Sequence, residues 1–141
     1  MDKIRKGFIL PIKEVEQAWR IKHGFKKEDH PIMHVYSYLM VASEAAVHKM
    51  VGEELAKHLI IHMDKLPPGG SINDQSRKYS SGSKVSDHAY YVISGKIQGT
   101  VGNVVKTVGA DSLIYCPSNV KHDILNVGKT TAKILRIAGC D

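Results

Sequence analysis

A chain of 141 residues, 43% hydrophobic and 24% charged, has the size and composition of one soluble globular domain and can bury a core without disulfide or metal staples. No apolar run approaches the ~18 residues of a membrane-spanning helix, and Gly7–Pro11 is too short for a signal segment, so a cytoplasmic protein with no membrane partner is expected. The net charge of +6 raises nucleic acid as a partner, but the lysines are scattered and the main cluster (Arg20, Lys22, His23, Lys26, Lys27) lacks any helix-turn-helix, zinc-finger or aromatic-basic pattern. It reads as a solvated basic surface, with no nucleic acid expected.

In chain order, Ile12, Val15, Ala18 and Trp19 recur at helical spacing and predict a short helix over 12–22. Residues 24–31 are polar and read as a loop. The pattern turns to β over 33–41, and 43–48 fit either a helical turn or an irregular link. A strand is predicted over 54–66, with Leu59, Ile61 and Met63 on one face and His58, Ile60, His62 and Asp64 on the other. Pro67-Pro68-Gly69-Gly70 stops it. Residues 71–86 are serine-rich, lack apolar periodicity and read as a surface loop or hairpin. Short strands follow at 88–94, 96–101, 103–107, 112–116, 121–126 and 132–138, with turn signals at Gly102-Asn103 and Asn126-Val127-Gly128. This spacing argues for an all-β sandwich or barrel. The two cysteines form neither a disulfide framework nor a zinc motif; Cys116 reads as a buried thiol and Cys140 as an exposed one.

Two stretches sharpen that reading. Pro67-Pro68-Gly69-Gly70 leads towards Asp87-His88-Ala89-Tyr90-Tyr91-Val92-Ile93-Ser94-Gly95, and Pro117, Asn119, His122 and Asn126 follow at fixed intervals. The first resembles the end of the first cupin motif, whose metal ligand stands seven residues before the glycine, where this chain has His88. The second resembles the second cupin motif, with Asn119 in place of a glycine, a substitution that suits a left-handed turn. Gly109 lies two residues earlier than the family's glycine. The similarity covers roughly 55–139. It implies a double-stranded β-helix, the cupin jelly-roll barrel, over residues 31–141, preceded by an N-terminal arm over 1–30 that contains the short helix. The family's His-x-His pair is absent: counting back from His88 places it at Gly82 and Lys84. A longer loop would put Asn73, Asp74 and Ser76 there instead.

The resemblance implies a divalent transition metal (Zn, Ni, Fe or Mn) held by His88 and His122. That ligand set is incomplete, because such ions take three or four protein donors. Further donors or pocket residues are His58, His62, Asp74, Tyr91 and Asn126, with Asp87 a further donor; Asn126 in the family is a structural hydrogen-bonder near the site. Against this, alternation says only that His58 and His62 share a face, Asn-Asp-Gln-Ser more often makes a turn, and Tyr90 and Tyr91 suit plain strand packing. Being adjacent, at most one of the two tyrosines lines the barrel. The glycines over 95–102 lie within strands, so they make no phosphate loop.

Three functions compete. One is a metal-dependent cupin enzyme of oxygenase, isomerase or lyase type. The second is a metal-free barrel that binds or senses a small molecule. The third is a basic interaction protein using Lys3, Arg5, Lys6, Lys22, Lys26 and Lys27. A small-molecule ligand and a homodimer are the expected partners, with the apolar N-terminal residues Phe8, Ile9, Leu10 and Trp19 and a barrel edge available for pairing.

Overall fold

The computed structural model describes residues 18–22, 32–41, 55–56, 59–74 and 85–140, with side chains over 59–72 and 87–139. Among the described residues there are strands and no helix: β1 (Ala18–Lys22), β2 (Ile32–Val41), β3 (Leu55–Ala56), β4 (Leu59–Leu66), β5 (Ser71–Asp74), β6 (Val85–Ser94), β7 (Ile97–Val101), β8 (Val104–Val108), β9 (Ser112–Cys116), β10 (His122–Asn126) and β11 (Ala132–Cys140). They form two sheets. The larger runs β1-β2-β4-β11-β6-β9, with β3 parallel on β2, and the smaller runs β5-β10-β7-β8. Every other pairing is antiparallel, and the inner faces of the two sheets enclose the core in jelly-roll fashion.

The side-chain period of two builds that core. In β4 the buried residues are Ile60, His62, Asp64 and Leu66, while Leu59, Ile61, Met63 and Lys65 face outward. Val92 and Tyr90 of β6, Ile114 and Cys116 of β9, Ile134 of β11, Ile97 of β7 and Ile124 of β10 join Leu66 and Ile72 in one apolar cluster. Each large aliphatic side chain so buried contributes ~1.5–3 kcal/mol. Cys116 is buried as the sequence predicts; the side chain of Cys140 lies outside the described residues.

Two turns carry special backbone. Asn119 has φ 66° and takes the left-handed conformation expected of it. Gly95 has φ 109°, and a Cβ there would sit 2.6 Å from Ala132 Cβ, so the tight passage from β6 into β7 admits no side chain.

Several expectations need correction. Residues 18–22 are not helical: Trp19-Arg20-Ile21-Lys22 alternates apolar and polar, and β1 pairs with β2 from Ala18↔Tyr36 to Lys22↔Ile32. Strand pairing overrides a helical spacing that rested on few residues. Residues 12–17 and 43–48 lie outside the described residues. The loop expected over 71–86 is shorter, because Ser71–Asp74 pairs with β10 and β6 already begins at Val85. Ile72 is the one apolar residue of Ser71–Asp74, too few to register as a period, and it is buried. Residues 75–84, where Ser76, Gly82 and Lys84 fall, lie outside the described residues. The strand expected over 54–66 appears as β3 and β4; His58, between them, is not described.

Candidate functional site

Antiparallel register arranges the inner face of the larger sheet in rows. One row runs Ile60, Ala138, His88, Cys116 and the next His62, Arg136, Tyr90, Ile114. Both rows hold ionisable or hydrogen-bonding side chains on a face otherwise filled by aliphatic ones. From the opposite sheet, β10 presents His122 inward at its first residue. His88, Tyr90 and His122 are all buried. They meet as three rings: His88 and His122 have centroids 5.3 Å apart at an interplanar angle of 52°, His88 stacks on Tyr90 at 5.9 Å and 11°, and Tyr90 lies 5.6 Å from His122. The two histidines that the motifs single out are thus brought together from two different sheets.

Hydrogen bonding orients the His122 ring. Nδ1 lies 3.3 Å from the Val120 carbonyl oxygen and Nε2 lies 3.1 Å from the Tyr90 hydroxyl. A carbonyl can only accept, so Nδ1 carries the proton in that bond; in the neutral ring Nε2 then accepts from Tyr90. An imidazole tied through Nδ1 to a backbone carbonyl presents Nε2 as its ligating atom. Here the Tyr90 hydroxyl covers that atom. In the neighbouring row Arg136 reaches Asp64 through Nη2 to Oδ1 and Nε to Oδ2, both at 3.3 Å. This buried pair keeps both charges compensated, without which either would be costly in the interior.

The remaining candidates fall in different places. His62 is buried on the inner face, opposite Arg136 in register. Asp74 pairs with His122 in backbone register, at the strand position beside the ring cluster, but its side chain is outside the described residues. Tyr91 is on the outer face: its neighbour Tyr90 points in, and the Tyr91 hydroxyl donates to Asp111 Oδ1 at 2.6 Å. That hydrogen bond to a carboxylate, followed by desolvation and the Asp111 charge, raises the phenol above its usual pKa. The tyrosine of the site is therefore Tyr90. Asp87 is also exposed, and its Oδ1 accepts from the Ser118 N–H at 2.9 Å, which anchors the turn before β10.

Asn126 is inward but lies four residues along β10 from His122, ~13 Å at strand rise. Its Nδ2 donates to the carbonyls of Leu66 (2.8 Å) and Thr130 (2.9 Å), and its Oδ1 accepts from the Gly128 N–H at 2.9 Å. It clips the β10–β11 turn to the end of β4 and belongs to the scaffold rather than to the pocket. Two buried polar residues that the sequence reading did not single out, Tyr90 at the ring cluster and Arg136 in the neighbouring row, carried a usable signal. Counting by twos from His88 reaches Tyr90, and an arginine inside Ala132–Ala138 is conspicuous in so apolar a strand.

The donors can be tested against a metal. Among the described residues no group of three or more His, Cys, Asp or Glu side chains is placed to hold an ion. His88 and His122 alone fall short of the three or four protein donors that transition-metal centres use. Among the described residues there is also no helix long and apolar enough to cross a membrane.

Comparison with known proteins agrees with this architecture. The Cupin domain family model matches residues 63–138, more than half of the chain. No match was found among curated proteins. Among solved structures, a predicted oxalate decarboxylase from Thermotoga maritima aligns over 94% of this chain and 98% of its own at 19% identity and a TM-score of 0.65. KdgF from Halomonas sp. aligns over 95% and 94% at 10% identity and a TM-score of 0.65, and an RmlC-like cupin from Shewanella frigidimarina over 88% and 85% at 14% and 0.55. At these identities the likeness is one of fold. With the matched segment running from within β4 to within β11, and with the jelly-roll pairing of the two sheets, the chain belongs to the cupin family.

Proposed function

We propose that this cupin barrel binds a small organic ligand carrying an acidic group at the His88–Tyr90–His122 cluster, without a fully ligated metal. The observation that carries the reading is the convergence of two buried imidazoles and a phenol from both sheets, with the Tyr90 hydroxyl bonded to His122 Nε2. Three adaptable polar groups beside an apolar core are what a small-molecule site requires. Acidic chemistry suits them, because a carboxylate can accept hydrogen bonds from a phenol O–H and from an imidazole N–H. The overall +6 balance of the chain favours the approach of anions. Folds of this kind host many reactions, so the fold selects no chemistry.

A thermal-shift panel of small mono- and dicarboxylates against neutral isosteres tests this. A ligand at ~100 times its Kd stabilises by ~2.7 kcal/mol, and the acids are expected to raise the melting temperature of wild type but not of His122→Ala. A panel in which only neutral isosteres act would sink the acidic reading.

One observation favours a second reading. The Nδ1–carbonyl tie presents His122 Nε2 for coordination, and Asp74 stands opposite His122 in register. On that reading His88 and His122, with Asp74 as a third donor, hold a divalent cation that would supply Lewis acidity. Stoichiometric zinc or nickel binding, abolished by His88→Ala, would support it over the first.

A further inference from the structure

The turn that delivers His122 into the site is held from outside the barrel. Pro117-Ser118-Asn119-Val120 links β9 to β10, and the Val120 N–H donates to the Pro117 carbonyl at 3.2 Å. Asn119 is the third residue of that turn and has φ 66°, as a type II turn requires. Such a turn uses the N–H of its fourth residue and leaves that of its second, Ser118, for another acceptor. Asp87 Oδ1 supplies one at 2.9 Å. On the other flank the Gly102 N–H, from the turn between β7 and β8, donates to the Lys121 carbonyl at 2.9 Å. The segment around Val120 is therefore tied to both sheets, to β6 through Asp87 and to the β7–β8 turn through Gly102.

Asp87 immediately precedes His88, so its side chain lies on the outward face of β6 while the imidazole turns in. A second group steadies the carboxylate. Tyr115 is diagonal to Asp87 on the same face, across the Ala89↔Tyr115 pair. Its phenol is raised above the usual pKa first by desolvation, then by the Asp87 charge and a hydrogen bond to that carboxylate.

One carbonyl of the held segment reaches the site. Val120 O lies 3.3 Å from His122 Nδ1, longer than the ~2.9 Å usual for an N–H donor. A small rotation of the following peptide would break so long a bond. The neutral ring is then free to carry its proton on Nε2 instead. His122 and Tyr90 would exchange donor and acceptor roles across their 3.1 Å contact, and the cluster would present different groups to a ligand.

We infer that Asp87 is a positioning residue: by holding the Pro117–Val120 turn, its carboxylate keeps the Val120 carbonyl on His122 Nδ1 and so fixes the tautomer of the site. Asp87 touches none of the three rings and acts only through the turn. What this means for a ligand rests on the reading of the cluster as a ligand site; the tautomer itself does not.

Imidazole nitrogen shifts of the ligand-free, 15N-labelled chain at about pH 8.5, where an ordinary imidazole is neutral, test this independently of the carboxylate panel. In wild type, His122 Nδ1 is expected to carry the proton and Nε2 to be bare. Asp87→Ala, at an exposed position, should stay folded by circular dichroism and move the two shifts towards each other as both tautomers populate. Asp87→Asn keeps an acceptor for the Ser118 N–H and should retain the wild-type pattern. Ser118→Pro removes the donor at a turn position that favours proline, so it should reproduce Asp87→Ala with the carboxylate intact. Where Asp87→Ala proves unstable, Ser118→Pro decides by the same readout. A wild-type pattern in Asp87→Ala or in Ser118→Pro would overturn the inference. So would an Asp87→Asn spectrum matching that of Asp87→Ala, since the charge rather than the clamp would then be acting.

Discussion

Replacing Asn126 by Asp changes one atom and reverses the hydrogen-bonding sense of a buried group. In the wild type the amide nitrogen lies 2.8 Å from the Leu66 carbonyl and 2.9 Å from that of Thr130, and Asn126 is 1% exposed. Only the nitrogen can face two carbonyls, so the orientation of the amide is fixed by chemistry. A carboxylate accepts only. It would point an oxygen at two carbonyl oxygens with no proton between them, in a place water does not reach. Deleting the three bonds by Asn126→Ala removes ~1 kcal/mol each, ~3 kcal/mol in all. Asn126→Asp adds an uncompensated buried charge, and a loss of ~3–5 kcal/mol is expected at pH 7.

For a domain of this size, at roughly 4 °C per kcal/mol, the melting temperature should fall by ~12–20 °C. The sign of the pH dependence follows from the same contacts. The new carboxyl is favoured neutral in the folded state, so its pKa rises above the unfolded value. Folding then recovers stability as pH falls through that raised value, where the protonated group again offers one donor. Chemical denaturation of both proteins from pH 8 to pH 4 reads this directly. The deficit of the variant should shrink steadily towards pH 4. A deficit under ~0.5 kcal/mol at pH 7 would refute the reasoning, as would one that does not change with pH.

Gly95→Ala should cost ~3 kcal/mol or more, since φ is 109° and the new Cβ would lie 2.6 Å from Ala132 Cβ and 2.9 Å from its Cα; urea unfolding checks it, and a cost below ~1 kcal/mol would contradict the backbone description. Asp123, half-buried next to His122, has its carboxyl raised above the usual value first by burial, offset in part by the Ile124 N–H and the His122 charge, and its Oδ1 finds no hydrogen-bond partner among the described residues. The contribution of that carboxyl is therefore favourable at low pH and is lost as pH rises through the raised value, so Asp123→Asn should stabilise by ~0.5 kcal/mol at pH 7, a gain kept small by solvent screening. That gain should vanish near pH 3, and a variant less stable than wild type at pH 7 would count against it. Tyr90→Phe removes the hydroxyl that covers His122 Nε2 at 3.1 Å. It should weaken carboxylate binding ~5-fold by calorimetry, in line with one lost hydrogen bond, while any zinc binding should strengthen; unchanged affinity for both would separate Tyr90 from the site.

Much of the barrel was legible because its strands alternate cleanly. The predicted 112–116 coincides with β9, and of the two faces the alternation separates in β4, the one grouping Ile60, His62 and Asp64 is the buried one. The pairing of His88 with His122 was legible only through motif spacing, since nothing local in either segment points across 34 positions of chain to the other sheet. Tyr91 was misplaced because a Tyr-Tyr pair looks alike from composition, and only the phase set by His88 says which ring turns in. Asn126 entered the candidates through the motif spacing as a structural hydrogen-bonder near the site; it does hydrogen-bond structurally, but four strand residues carry it ~13 Å along β10 from His122. The strands at 18–22 and 71–74 were missed for a common reason. Short edge segments draw their stability from a partner strand rather than from their own pattern.

The central claim is that His88 and His122 form one ligand site. The most direct test is the imidazole region of the NMR spectrum, titrated with the carboxylate that stabilises the protein best and assigned with His88→Ala and His122→Ala. Of the eight histidines, these two should shift together along one saturation curve. Loss of either ring should abolish the response of the other. A carboxylate that stabilises the protein while shifting neither, or that shifts one without the other, would contradict the account.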